Sequence, residues 1–179
     1  MGTTLQVSSP ALIQQPPVRV WFDAENIKVS GGDQSILDWI GQSPRNNQFG
    51  YPIELIVGTD SHSSGQFFRF PSVVCIYSPG RGGLYYYTVT KEPRALFKKN
   101  QQFRMFQEVA KSIELATWIE ENSGWKPVIH IDASKKEAGH FTSAFSDSLK
   151  GYAIGSGFNA LLKPESFCAN SLSDRHSKH

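Results

Sequence analysis

An apolar run at residues 52–60, PIELIVGTD, is the feature that most constrains the fold of this chain. The run ends in the polar residues Thr59 and Asp60. A continuous apolar run that ends in this way is typical of a central strand that is buried on both faces. A second run, PVIHID at residues 127–132, also stops at a carboxylate, Asp132. Because strands buried on both faces need helices to cover them, the two runs predict an α/β fold.

The rest of the sequence predicts further strands and helices around these two runs. Apolar residues recur at spacings of three and four across residues 101–121, which indicates a long helix that Asn100 caps and Gly124 ends. The predicted strands are residues 51–60, 73–78, 84–90, 127–132 and 152–162. We therefore predict a mixed five-stranded sheet with helices on both faces.

Length and composition bound the class of protein. At 179 residues the chain fits one domain, with a flexible leader over 1–18, a peripheral strand and helix over 19–50, and the main domain over 51–179. No apolar run approaches the roughly 20 residues that span a bilayer, which excludes a transmembrane protein. The 2 cysteines are too few for a disulfide scaffold or a four-cysteine zinc site. The N-terminus lacks a basic segment followed by a long apolar one, so we expect a cytoplasmic protein.

Asp60 and Asp132 stand at equivalent ends of two predicted strands. In an open α/β sheet, the crevice outside the carboxyl ends of parallel strands is the usual ligand site. If the two strands are parallel neighbours, the two carboxylates lie together there and repel each other unless a cation lies between them. Because hard oxygen ligands suit Mg²⁺ or Mn²⁺, the pair predicts a divalent-metal site. The alternative is that each aspartate simply terminates its strand.

The predicted long helix offers a third carboxylate, and two glutamates compete for this role. At about 100° per residue, Glu108 lies about 60° from the centre of the apolar stripe, whereas Glu114 lies nearly opposite it. Glu108 also has the small Ser112 one turn later, where the helix can approach the sheet closely. These features favour Glu108 as the helix carboxylate, and a solvated helix glutamate is the alternative.

Taken in order, the motifs resemble the ribonuclease H-like fold and, within it, the YkuK-type group of bacterial ribonuclease H-like proteins. The resemblance covers roughly residues 50–178, and the segment before residue 50 fits the group poorly. It is carried by Val57-Gly-Thr-Asp-Ser61, Gly80-Arg-Gly-Gly83, Phe106-Gln-Glu-Val109 with Ser112, Glu114-Leu-Ala116, Ile129-His-Ile-Asp132, Gly155-Ser-Gly-Phe158, Lys163-Pro164 and Asp174-Arg175. The resemblance therefore implies a ribonuclease H-like domain with an acidic active site.

The resemblance also implies a role for each acidic residue. It makes Asp60 the ligand that bridges two metal ions, and it matches Glu108, Asp132 and Asp174 to the other acidic positions of the family. Two Mg²⁺ or Mn²⁺ ions held by such a set suit phosphodiester hydrolysis. Glu114 stays open as the helix ligand, because Glu114-Leu-Ala116 also looks like the glutamate motif of ribonucleases H proper.

Basic residues near the predicted acidic site indicate a substrate with many phosphates. Residues 91–111 hold six basic residues against two acidic ones, and a carboxylate cluster needs such surroundings to accept a phosphate backbone. The candidate nucleic-acid-binding residues are Arg81, Lys98, Lys99, Arg104, Lys135 and Lys136. An ordinary solvated basic face is the alternative. His62 follows Asp60 by two residues and is a candidate proton shuttle, although the resembling proteins more often carry Gln there.

Two functions stay open at this point. The complete acidic set favours a divalent-metal-dependent nuclease that hydrolyses the phosphodiester bonds of nucleic acid. The alternative is a non-catalytic ribonuclease H-like module that binds nucleic acid or a protein partner. No Gly-rich phosphate loop of the GxxxxGK[ST] kind supports a nucleotide-acting hydrolase. The residues do not distinguish RNA, DNA and hybrid substrates.

Overall fold

The protein is described by a computed structural model that covers residues 18–46, 52–97, 100–134 and 144–168. Seven strands form its sheet: β1 (Trp21–Phe22), β2 (Glu54–Thr59), β3 (His62–Ser64), β4 (Phe67–Ser78), β5 (Gly82–Pro93), β6 (Val128–Ser134) and β7 (Ala160–Lys163). The α-helices are α1 (Gly32–Asn46), α2 (Gln101–Ser123) and α3 (Ser146–Gly155). A short 3₁₀ helix, Arg94–Phe97, precedes α2. Within the described residues, no helix is long and apolar enough to span a membrane.

The sheet is mixed, as the sequence predicts, but it is wider. The strand order is β1-β5-β4-β2-β6-β7, and β3 pairs with the start of β4. Strands β2, β4 and β5 form an antiparallel meander, whereas β6 pairs in parallel with both β2 and β7. The prediction of five strands is wrong because β1 joins the edge of β5 and the short β3 extends the hairpin that follows β2.

The predicted strand over residues 152–162 is wrong in its first half. Residues Ser146–Gly155 form α3, in which Leu149 and Ala153 lie one turn apart and are fully buried. Both pack in the cluster that α2 and β6 build, and this tertiary contact favours a helix over residues 152–155, where the local pattern favoured a strand. Gly157 adopts a φ of 95°, which suits glycine and lets the chain turn from α3 into β7.

The three described helices pack on the same face of the sheet. On that face, Leu115 of α2 packs with Val57 of β2, and Val109 of α2 packs with Ile129 of β6. The opposite face is covered in part by Phe167 and Cys168, which follow β7. No described helix covers this face, and residues 169–179 lie outside the described part of the chain.

Strand β1 and helix α1 share a core with the main sheet. Trp21, Ile36 and Ile40 are buried in one cluster with Leu115 of α2 and Val57 of β2. The indole Nε1–H of Trp21 also donates a 2.6 Å hydrogen bond to Asp33 in the first turn of α1. The domain boundary before residue 51 stays a prediction, and the leader lies outside the described residues apart from Val18.

Helix α2 is capped at both ends, and one hydrogen bond near its middle attaches it to the sheet. The Asn100 side chain accepts a 2.9 Å hydrogen bond from the Phe103 amide, and Gly124 closes the helix with a φ of 72°. In between, the Ser112 hydroxyl donates to Thr59 Oγ1 at 3.0 Å, and Thr59 shares a 2.9 Å hydrogen bond with Ser72 Oγ. These three hydroxyl groups are buried and join α2 to β2 and β4.

We expect Ser112→Leu to destabilise the protein by about 1–3 kcal/mol, because a larger side chain has no room where α2 meets β2. Ser112→Ala is the matched control, since it removes the hydroxyl without adding volume and should cost only about 1 kcal/mol. Urea unfolding of the three proteins measures both effects. Equal stabilities for the Leu and Ala variants would show that α2 is not held close to the sheet at this point.

Candidate functional site

The parallel pairing of β2 and β6 brings Asp60 and Asp132 to one edge of the sheet. Gly58 of β2 is paired with His130 of β6. Two residues further along each chain come Asp60 and Asp132, and both are half-buried. The condition on which the argument from strand ends depended, that the two strands are parallel neighbours, is therefore met.

Glu108 of α2 joins the two aspartates. Its side chain is buried, and Oε1 accepts a 2.6 Å hydrogen bond from the Ser61 hydroxyl. The pKa of Glu108 is raised to about 8, first by burial, then by the charge of Asp60 and to a smaller extent by that of Asp132. The Ser61 hydrogen bond and the charge of Arg104 oppose this rise. Glu108 is thus close enough to both aspartates to be affected by their charges.

Arg104 contacts the carboxylate cluster through Ser61 and Glu108. Its Nη1 donates 2.9 Å hydrogen bonds to both the carbonyl oxygen and the hydroxyl of Ser61. The same nitrogen is 3.6 Å from Glu108 Oε1, one turn further along α2. The guanidinium also stacks over Phe68, 5.4 Å from the ring centre. The sequence predicted Arg104 as a nucleic-acid contact, and the structure shows that it is also a neighbour of the carboxylates.

Lys163 is a member of the site that the sequence analysis missed. It ends β7, and its Nζ forms an ion pair with Asp132 Oδ1. Because β7 is the parallel neighbour of β6, the rule that strand ends meet at one edge applies to Lys163 as it does to Asp132. The signal was therefore in the sequence, within the Lys163-Pro164 motif, but the rule was applied only to carboxylates.

Two of the predicted site residues lie away from this cluster. The Glu114 side chain is 64% exposed, and its Oε1 is 3.7 Å from Arg19 Nη2. Arg81 is exposed in the turn between β4 and β5, next to the end of β2 that begins at Glu54, whereas Asp60 follows the other end of β2. Their predicted roles receive no support from the geometry of the described residues.

The other predicted site residues divide into one that borders the cluster and five outside the described part of the chain. His62 is half-buried at the start of β3, two residues after Asp60. The residues outside are Asp174, Lys98, Lys99, Lys135 and Lys136. Their assignments stay predictions.

His130 anchors the chain that leaves β7. Its Nδ1 accepts hydrogen bonds from the amides of Phe167 at 3.2 Å and Cys168 at 3.4 Å. Burial lowers the pKa of His130 to about 4, so the ring is neutral near pH 7 and keeps this acceptor. The Ser166 hydroxyl adds a 2.8 Å hydrogen bond to the Ile131 carbonyl. Residues 166–168 are thus held against β6 next to the acidic edge.

The carboxylate oxygens of this cluster are suitable ligands for a metal ion, but their spacing does not form a metal site. Carboxylate oxygens are the ligands that Mg²⁺ and Mn²⁺ prefer. Across the described ranges, however, no three His, Cys, Asp or Glu side chains are grouped closely enough to hold an ion. Lys163 instead neutralises the charge of Asp132 through an ion pair, and Arg104 lies beside Glu108.

A family model described as Ribonuclease H-like matches residues 34–178. The chain belongs to the ribonuclease H-like family. The match confirms the resemblance inferred from the motifs and extends it to the N-terminal side, since it begins within α1. It spans all four acidic positions, from Asp60 to Asp174. Comparisons with curated proteins and with solved structures return no match.

We expect metal-free protein to lose stability as the pH rises from the ordinary glutamate pKa of 4.5 to about 8. Over this range the unfolded chain releases the Glu108 proton while the folded protein keeps it, which lowers the free energy of unfolding by at most about 1.4 kcal/mol per pH unit. Glu108→Gln removes this dependence. The measurement is urea unfolding of both proteins in EDTA at several pH values, and parallel pH profiles would contradict the raised pKa.

Proposed function

We propose that this protein is a divalent-metal-dependent nuclease that hydrolyses the phosphodiester bonds of nucleic acid. The observation that supports this most strongly is the convergence of Asp60, Glu108 and Asp132, from three separate elements, at one edge of the sheet. Membership of the ribonuclease H-like family supports a nucleic-acid-related role for that edge. Gathering three carboxylates costs repulsion and desolvation, and a site that binds cations gives a reason for this cost.

Asp60, Glu108 and Asp132 are the residues that would hold Mg²⁺ or Mn²⁺, with Asp174 as the proposed fourth ligand. When bound, such ions lower the pKa of a water molecule and stabilise the leaving oxygen of the phosphodiester. In the described part of the chain, the carboxylates are not close enough together to form a preformed metal site. We infer that loading requires Asp132 to exchange Lys163 for the ion and Glu108 to lose its proton.

The basic and polar neighbours have roles that follow from their contacts. Ser61 donates to Glu108 and so fixes the direction of this carboxylate. Arg104 and Lys163 each contact one carboxyl group of the acidic edge, and each is placed to pair with a phosphate oxygen once that group binds an ion. His62 borders the same edge and remains the candidate for moving a proton.

One observation favours the alternative, a non-catalytic module that binds nucleic acid or a protein. Without any metal ion, Lys163 pairs with Asp132, and the raised pKa keeps Glu108 protonated below a pH of about 8. An acidic edge balanced in this way is also what a family member that has lost catalysis would show. Cleavage activity therefore decides between the two functions.

We expect the purified protein to cleave at least one of single-stranded RNA, single-stranded DNA, duplex DNA and RNA–DNA hybrid with Mg²⁺ or Mn²⁺. Glu108→Gln and Asp60→Asn should each lower the rate by at least about a hundredfold. Changing a residue that only supports a metal ligand already costs about 10- to 100-fold, and these two residues are the proposed ligands themselves. Glu114→Gln is the matched control on the same helix and should retain activity, because Glu114 is exposed and remote from the aspartates.

The outcomes separate the assignments. Loss of activity in Glu114→Gln but not in Glu108→Gln would contradict the choice of helix carboxylate. Absence of cleavage on all four substrates with either ion would favour the non-catalytic module. Circular dichroism of each variant checks that a loss of activity is not a loss of folding.

We expect Lys163→Met to bind Mn²⁺ about three- to tenfold more tightly than the wild type, because it removes a cation that competes for Asp132. Lys126→Met is the matched control, since Lys126 pairs with Glu120 at 3.2 Å outside the acidic cluster. Isothermal titration calorimetry measures the affinities directly and does not depend on activity. Unchanged or weaker binding by Lys163→Met would contradict the competition, and no binding by any variant at millimolar Mn²⁺ would contradict the metal site.

A further inference from the structure

An open groove of about 1480 Å³ lies beside the carboxylate cluster. It runs between the β3–β4 hairpin, the 3₁₀ helix and the first turn of α2. Ser61 and Arg104 line this groove and also contact Glu108, so the groove and the acidic edge share a wall. The groove is larger than the roughly 300–1,000 Å³ of a typical small-molecule pocket, which suits a segment of a polymer better than one nucleotide.

Aromatic side chains provide much of the apolar surface in and around the groove. Phe68 and Phe97 both line it, with ring centres 5.3 Å apart in an edge-to-face contact. Phe103 packs 5.6 Å from Phe97 and is 42% exposed. Phe67, which also lines the groove, is 46% exposed. Rings exposed to this degree beside a polar site are available to a ligand with flat faces.

The charge of the groove complements a polyanion. None of the described residues that line it is acidic, whereas Arg94 and Arg104 are both part of the lining. The side chains of Gln66 and Gln101 are exposed along it and offer amide donors and acceptors. Aromatic faces, guanidinium groups and amides together match the three parts of an unpaired nucleotide: the base face, the phosphate and the base edge.

We propose that this groove binds a single-stranded segment of nucleic acid and leads it to the carboxylate edge. The inference rests on the proposed function, because it takes the strand in the groove to be the strand that is cleaved. A duplex keeps its base faces stacked on one another, so exposed rings contribute little to duplex binding. The shared wall at Ser61 and Arg104 places a strand in the groove directly beside Asp60 and Glu108.

The test is a fluorescence-anisotropy titration of the full chain in EDTA, which prevents cleavage. The probes are labelled oligo(dT) and oligo(rU) of about twelve nucleotides, within the range that stacking sites cover, and a duplex of the same length. We expect wild-type protein to prefer both single strands over the duplex. Phe67→Ala should weaken single-strand binding roughly tenfold and Phe67→Trp should preserve it, because base stacking needs an aromatic ring.

Two further variants keep the test specific. Tyr152→Ala is the matched control, since Tyr152 is 42% exposed but lies on α3 and does not line the groove. It should bind like the wild type. Arg94→Ala should weaken both single strands and reduce the slope of log affinity against log salt by about 0.7, the value for one phosphate contact on a single strand.

The outcomes distinguish this inference from the nuclease proposal. Wild-type affinity in both Phe67→Ala and Arg94→Ala, or tighter binding of the duplex, would overturn the groove as a single-strand site. Absence of binding to every probe would also overturn it and would leave a protein partner as the better occupant. Groove-dependent binding without cleavage in Mn²⁺ would reject only the nuclease, whereas cleavage with an unchanged KM in Phe67→Ala would reject only the groove.

Discussion

The parallel pairing of β2 with β6 is the constraint on which the rest of the site depends. Parallel neighbours require a crossover connection, and here the path from β2 to β6 passes through the meander and then through α2. The crossover places α2 over the two strands, where the buried hydroxyls of Ser112 and Thr59 set the contact. Glu108 lies one turn before Ser112 on the same helix. Its side chain therefore reaches the edge of the sheet where Asp60 and Asp132 lie.

The carboxyl groups at the edge of the sheet are stabilised by neighbouring positive charges and by protonation of Glu108. In the described residues they do not form a preformed metal site. Burial and the charges of two aspartates raise the pKa of Glu108 to about 8, so this side chain is protonated below that pH. Arg104 and Lys163 supply positive charge from α2 and β7, two elements far apart in the chain. Under the proposed function, a divalent cation would take the place of Lys163 at Asp132 and of the proton on Glu108.

The acidic edge lies between two different surfaces of the protein. On one side, Arg104 connects the carboxylates to a groove with aromatic and basic lining. On the other, the neutral His130 and Ser166 hold the chain that follows β7 against β6. The family match runs on to residue 178 and so includes Asp174, which lies outside the described residues.

The sequence by itself determined the mixed α/β sheet, the caps of α2 and the placement of Asp60 and Asp132, because these follow from local periodicity and from the rule for strand ends. It also favoured Glu108 over Glu114, since the angle of a residue on a helix depends only on its spacing from the apolar stripe. Only the tertiary structure decided that α3 continues over residues 152–155, that Lys163 pairs with Asp132, and that Arg104 contacts Ser61 and Glu108. These depend on the packing and register of elements far apart in the chain, which no local pattern encodes.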